Sequence, residues 1–148
     1  KEALGRAFEF DARVMAEEFI EGREVTAPVL GNKDPQALPL IEIRPKVSSF
    51  FDYRAKYEVG GSQEICPAPI SRALTEKIQR LAVQIHRTLG CRGVTRCDFI
   101  IKKGRPYFLE VNTIPGMTNT SLVPLSARQA EISFSALLDK LIELALEK

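Results

Sequence analysis

The sequence predicts an α+β domain: a mostly antiparallel sheet with helices packed against it. Three observations carry that reading. Apolar residues recur with helical period through Leu74, Ile78, Leu81, Ala82, Ile85 and Leu89. Val94–Lys102 and Pro106–Asn112 read as two strands around a tight connection, Lys103-Gly104-Arg105. Phe134, Leu137, Leu138, Leu141 and Ile142 mark the buried face of a final helix that starts near Ser133. The 148 residues suit one domain, and a hydrophobic content of 45% is enough to offset the entropy of folding.

The remaining elements follow in chain order. Lys1 to Phe10 is helix-like, with Leu4, Ala7 and Phe8 on one side; it begins without an initiator methionine, as expected of a piece of a longer protein. Val14 to Phe19 alternates as a strand, the turn Glu21-Gly22 follows, and Arg23 to Leu30 forms a second strand. Pro28 lacks an N–H and predicts an edge position for that strand. Gly31 to Pro35 is a turn by composition, and Leu40 to Arg44 is a third strand stopped by Pro45. Lys46 to Pro69 shows no sustained period and reads as a long loop, functional or disordered rather than idle. Ser71 is placed to cap the following helix and Gly90 to end it. Ile114 to Pro124 is a second irregular stretch.

Composition removes several classes of function. The formal net charge of +2 gives no electrostatic case for a nucleic-acid partner. No apolar run approaches the roughly 18–20 residues that span a bilayer, so no membrane partner is expected. Cys66, Cys91 and Cys97 lack zinc-ligand or CxxC spacing and read as free thiols. The single histidine, His86, is expected on the solvent side of its helix, which argues against Cys/His catalysis.

The hairpin holds the densest polar chemistry. With a three-residue loop, residues directly opposite one another have indices that add to 208, which pairs Asp98 with Glu110 and Arg96 with Asn112. All four then share one face, and Cys97, Phe99, Ile101, Tyr107, Leu109 and Val111 occupy the other. Two carboxylates and an amide oxygen suit Mg²⁺, which takes hard oxygen ligands and completes its shell with water and phosphate. Spacing alone also admits a solvated sheet face with a salt bridge from Arg96. The face assignment depends on the loop, since a two-residue turn would send Glu110 to the side opposite Asp98.

Five blocks, in order from Glu17 to Pro124, resemble the D-alanine–D-alanine ligases of the ATP-grasp superfamily. They are Glu17 to Glu24; Tyr53-Arg54-Ala55-Lys56-Tyr57; Cys66-Pro67-Ala68; Arg96-Cys97-Asp98-Phe99; and Leu109 to Thr118 with Ser121 to Pro124. The resemblance implies that residues 1–148 are the C-terminal part of an ATP-grasp ligase domain, without the N-terminal domain and most of the central lobe. It implies ATP and two Mg²⁺ ions, with Mn²⁺ as a substitute, and a reaction that joins two D-alanines through an acyl phosphate for peptidoglycan precursors. It also implies a bacterial cytoplasmic enzyme, a homodimer at full length, and a fragment that is inactive alone.

Site roles come from the same resemblance. Glu17, Phe19 and Ile20 would line the adenine pocket, and Glu24 would bind the ribose hydroxyls; periodicity alone would make Phe19 and Ile20 core. Lys56 would touch the ATP phosphates, and Tyr57 would close the loop over the amino-acid site. Asp98, Glu110 and Asn112 would hold the metals, and Arg96 would stabilise the transferring phosphoryl group. The Gly116 N–H would serve the oxyanion, while Ser121 and the Leu122 amide would grip the second carboxylate; read in isolation, Ser121 is equally a helix cap. The rivals are a D-alanine–D-lactate ligase, another ATP-grasp carboxylate–amine ligase, and a non-catalytic nucleotide-binding module. Tyr57 favours the dipeptide product over the D-lactate ester.

Overall fold

The structure, a computed structural model, describes residues 2–45 and 62–147. Its elements are α1 (Glu2–Phe8), β1 (Arg23–Leu30), β2 (Gln36–Ala37), β3 (Ile41–Pro45), β4 (Ser62–Ile65), α2 (Arg72–Thr88), β5 (Val94–Lys102), β6 (Arg105–Asn112), α3 (Leu122–Gln129) and α4 (Phe134–Leu146). The strands form one antiparallel sheet in the order β4-β3-β1-β5-β6, and β2 pairs with β1 beyond the end of β3.

Strand alternation gives β1 two different faces. Val25, Ala27 and Val29 are fully buried and pack with Cys97, Phe99 and Ile101 of β5 against Ile78 and Ala82 of α2. Glu24, Thr26, Pro28 and Leu30 point to the other face. There a second cluster joins Leu30 and Leu38 to Val123 and Ala127 of α3 and to Leu137 and Leu144 of α4. Helices α3 and α4 thus cover the Leu30 end of this face, while its Glu24 end forms the floor of a cleft.

Pro28 is not on an edge, because β1 is flanked by β5 on one side and by β3 and β2 on the other. A strand residue's N and C=O point the same way, and the Pro28 carbonyl accepts from the Leu38 N–H at 2.9 Å. The missing donor therefore faces the gap where β1 changes partner from β3 to β2 and disturbs neither ladder. Nor is Val14 to Phe19 a strand: it is irregular, and Met15 and Phe19 are exposed. A strand there would need a ladder, and both flanks of β1 are already taken.

Helix α2 starts as expected, with the Ser71 hydroxyl accepting from the Leu74 N–H at 3.4 Å, and Gly90 ends it in the left-handed region at φ 64°. Its most buried residues are Ile78, Ala82 and His86, while Leu89, at the cap, is exposed. His86 therefore points inward, contrary to expectation, because it follows Ile78 and Ala82 at intervals of four on the inner face of the helix. Its Nε2 lies 3.1 Å from the Gly31 carbonyl and its Nδ1 2.8 Å from the Thr95 hydroxyl. A carbonyl only accepts, so Nε2 carries the hydrogen and Nδ1 accepts from Thr95.

Three further expectations change. The stretch read as loop contains β4, and the second irregular stretch ends in α3. In α4, Leu137 and Leu144 are buried, whereas Leu138 and Ile142 face outward. The inward positions, seven residues apart with Leu141 between them, form a narrower stripe than composition suggests.

Candidate active site

The β5–β6 connection is a two-residue turn, Lys103-Gly104, with both residues at positive φ (49° and 73°). Such a turn matches the twist of the strands it joins, and glycine adopts its second position without strain. Lys102 pairs with Arg105, and Phe99 with Phe108, in the register that alone would carry Glu110 away from Asp98. A β-bulge between Asp98 and Phe99 corrects it: Leu109 is the extra residue, and beyond it Asp98 pairs with Glu110, Cys97 with Val111 and Arg96 with Asn112. The four polar residues share one face as expected, through a different turn.

The bulge overturns two assignments to the core face. Tyr107 lies opposite Ile100, and Leu109 turns to the polar side. Phe108 instead meets Phe99 edge-on, with ring centroids 5.7 Å apart.

Asp98 is the hub. Arg96 donates from Nε to Oδ1 and from Nη2 to Oδ2, both at 3.0 Å. Thr26 Oγ1 donates to Oδ1 at 2.6 Å, and Asn112 Nδ2 donates to Oδ2 at 3.1 Å and to Glu110 Oε1 at 3.3 Å. Burial of the Arg96 guanidinium opposes its charge, but hydrogen bonding to Asp98 and the fields of Asp98, Glu110 and Glu24 outweigh that, so its pKa is raised. The amide nitrogen of Asn112 touches both carboxylates, which places three hard-oxygen side chains within reach of one centre once the amide presents its oxygen. That donor set fits Mg²⁺ or Mn²⁺ and fits poorly the softer metals that seek sulfur or imidazole.

These residues floor a cleft of about 490 Å³. Glu24, Arg96, Asp98, Glu110 and Asn112 form its base, Gly116, Thr120, Ser121 and Leu122 one wall, and Ile43, Ser62 and Glu64 the other. A second cleft of about 350 Å³ adjoins it, lined by Met15, Glu17, Glu24, Asp98, Leu109 and Glu110. Glu17, Glu24 and the carboxylates of Asp98 and Glu110 are therefore contiguous. Phe19 and Ile20 line neither cleft and are not core; Phe19 is 68% exposed. Lys56 and Tyr57 lie outside the described residues.

Ser121 occupies the N-cap position of α3, yet its side chain does not cap the helix. The hydroxyl turns back to accept from the Thr118 N–H at 3.0 Å and lies 2.8 Å from Thr118 Oγ1. The N–H groups of the first turn are thus left without a side-chain cap at the positive end of the helix dipole, facing the cleft. Gly116 packs closely against this wall, where a β-carbon would stand 3.1 Å from Ser121 Oγ.

Sequence reading missed Thr26, Met15, Leu109, Ile43, Thr120, Ser62 and Glu64. The alternation of β1 held the signal for Thr26, which shares a face with Glu24. Leu109 had none, because a bulge leaves little trace in local composition. No cysteine sits in either cleft. Burial pushes the Cys97 thiol up to about 12 and the Cys66 thiol up to about 11.

The chain is similar to known proteins in sequence and in fold. The family model described as D-ala D-ala ligase C-terminus matches residues 1–143. The D-alanine--D-alanine ligase of Desulforamulus reducens is 52% identical over 147 residues, covering 99% of this chain and 47% of the relative. That of Desulfotalea psychrophila is 54% identical over 137 residues, covering 91% and 42%. Among solved structures, D-alanine--D-alanine ligase from Bacillus anthracis complexed with ATP matches at a TM-score of 0.81 with 39% identity, covering 98% of this chain and 46% of that one. The VanG D-Ala:D-Ser ligase from Enterococcus faecalis also matches at 0.81 with 39% identity, covering 99% and 44%. The chain spans about half the length of the curated relatives it matches.

Proposed function

Because this chain belongs to the D-alanine–D-alanine ligase family, we propose that it is the C-terminal part of an ATP-dependent ligase that joins two D-alanines for peptidoglycan precursors. The observation that carries the proposal is the shared cleft. One floor brings Arg96, Asp98, Glu110 and Asn112 together, and one wall presents the uncapped start of α3 beside Ser121.

The chemistry divides along that cleft. The carboxylate of the first D-alanine attacks the γ-phosphorus of ATP, giving an acyl phosphate and ADP. The amine of the second then attacks the acyl carbon and expels phosphate. Asp98, Glu110 and Asn112 would hold Mg²⁺, which supplies charge neutralisation on the phosphates. Arg96, with its charge secured by three carboxylates, offers N–H donors to the transferring phosphoryl group. Ser121 and the Leu122 N–H receive the second substrate's carboxylate at the positive end of α3. Gly116 lies on the same wall, and its N–H serves the oxyanion in this reading. Glu24 and Glu17, in the adjoining cleft, suit the ribose and base of ATP. Lys56 and Tyr57 act on the phosphates and the amino-acid site in this reading. A homodimer in a bacterial cytoplasm is the corresponding setting for the full-length protein, and the chain alone is proposed to be inactive. Among the described residues no helix is long and apolar enough to cross a membrane.

The test is ADP release by the full-length protein with Mg²⁺ and ATP, with products identified by mass. D-Alanine alone should support release and yield the dipeptide. The likeness to a D-Ala:D-Ser ligase favours one second reading, in which D-serine is the acceptor. Adding D-serine or D-lactate to D-alanine distinguishes the three products. No release with any of them would overturn the proposal.

A further inference from the structure

Of the donors that converge on Asp98, three N–H groups belong to Arg96 and Asn112, residues with work of their own in the cleft. The fourth comes from the neighbouring strand, β1. Thr26 is fully buried, stands directly opposite Asp98 in the β1–β5 ladder, and places Oγ1 2.6 Å from Oδ1. The Cys97 carbonyl is also near this hydroxyl, at 3.4 Å, but one proton makes one strong bond and the carboxylate is both closer and charged. Rotation about an aspartate's last side-chain bond is soft, whereas a β-branched threonine buried in a strand is stiff. A stiff donor on Oδ1 sets the plane of the carboxylate and hence the direction of Oδ2.

We infer that Thr26 is a positioning residue that holds the Asp98 carboxylate in the orientation a divalent cation requires. The inference rests on the metal-binding reading above and adds a residue to it. Arg96 and Asn112 are poor candidates for this task, because their bonds to Asp98 compete with binding phosphate and metal. The buried hydroxyl has no such competing use.

The test uses full-length ligase with Mn²⁺ as the probe, its binding in the presence of ADP read by electron paramagnetic resonance. Thr26→Val keeps the shape of the side chain and removes the donor, and should weaken Mn²⁺ binding about 10- to 100-fold, the usual loss when a group supporting a metal ligand is removed. Thr26→Ser keeps the donor and should bind within about threefold of wild type. Thr26→Ala repeats the loss should Thr26→Val fail to fold, and thermal melting of each variant separates metal affinity from stability. Raising Mg²⁺ should restore much of the Thr26→Val turnover, which a purely structural lesion would not allow. Asp98→Asn separates the two layers of the argument. If Asp98→Asn abolishes Mn²⁺ binding while the valine and alanine variants bind as wild type, the role of Thr26 is overturned and the metal site stands. If Asp98→Asn itself binds normally, the metal-site reading falls, and the inference with it.

Discussion

Asp98 and Glu110 face each other across the β5–β6 ladder because Leu109, between Glu110 and the Phe99–Phe108 pair, has no partner. An unbroken ladder from the Lys103-Gly104 turn would put Glu110 opposite Cys97, with its carboxylate in the core. The bulge instead places both carboxylates on the cleft floor and Leu109 on the wall of the adjoining cleft.

The two carboxylates should respond differently to neutralisation. If the proposed metal site holds, either Asp98→Asn or Glu110→Gln should lower kcat/KM of the full-length protein about 100-fold or more, since each would remove charge stabilisation worth several kcal/mol. Only Asp98→Asn should also lower stability, by about 1–3 kcal/mol, because Asp98 is buried and its loss deprives the Arg96 and Thr26 donors of their charged acceptor. Glu110 is exposed, and its variant should melt with the wild type. Steady-state kinetics and thermal melts on the same samples check both halves.

His86 should give stability a slope at mildly acid pH. Burial lowers its pKa from the ordinary 6.5, so the unfolded chain binds the proton first as pH falls. Its contribution is complete above about 6.5 and is lost progressively from there down through the lower folded value. His86→Gln should remove that slope from denaturant-derived stabilities between pH 5 and 8 (~the range of histidine titration). At pH 8 it should cost about 1–3 kcal/mol, from imperfectly replaced bonds to Thr95 and Gly31.

Glu42 controls a more acid limit. It is buried on the interior strand β3, 2.6 Å from Arg23 and 2.7 Å from Arg44, and its bond to Arg23 leads the effects that hold its carboxyl below the ordinary 4.5. The stability it confers is present above about 4.5 and is lost as pH falls through the lowered folded value. Glu42→Gln should flatten the acid limb of the stability curve. At neutral pH it should cost about 1–3 kcal/mol, less than a fully buried pair would, because both arginines are half-exposed and can hydrate. Acid titration of the unfolding midpoint is the measurement.

Gly116 and Ser121 should act as one unit. Gly116→Ala brings a β-carbon to 3.1 Å from Ser121 Oγ, so the hydroxyl must shift by a few tenths of an ångström and strain its bonds to Thr118. On the proposed function, the expected result in the full-length protein is a rise in KM for the acceptor amino acid of about 3- to 10-fold, roughly 1 kcal/mol, with the melting temperature unchanged. Ser121→Ala should raise the same KM, and the double variant should show less than the product of the two effects.

Much of the site was legible without coordinates, and the misses have physical causes. The alternation of Arg96, Asp98, Glu110 and Asn112 in a hairpin places all four on one face with a three-residue loop, one residue longer than the turn the structure has. The difference is harmless only because the Leu109 bulge restores the same register. The pairing of Thr26 with Asp98 and the Ser62–Glu64 wall carry no local signal, because strand order, which no local pattern reports, brings β1 beside Asp98 and β4 beside the cleft. His86 carries mixed signals: its polar neighbours, Arg87 and Gln84, suggest solvent, whereas its spacing from Ala82 and Ile78 puts it on the buried face.

What the residues alone determined is local and covalent: which segments are amphipathic, where glycine and proline stop them, and which side chains recur in the order of a family. Those properties depend on spacing along the chain, and the helix at Ile78 and the hairpin at Asp98 follow from them. Tertiary structure decided which face each element buries, that Pro28 sits inside a sheet, and that a threonine 72 residues distant grips Asp98. These outcomes depend on which surfaces meet. A buried hydroxyl or imidazole acquires its role from partners that only the folded chain brings within 3 Å or so, about the reach of a hydrogen bond.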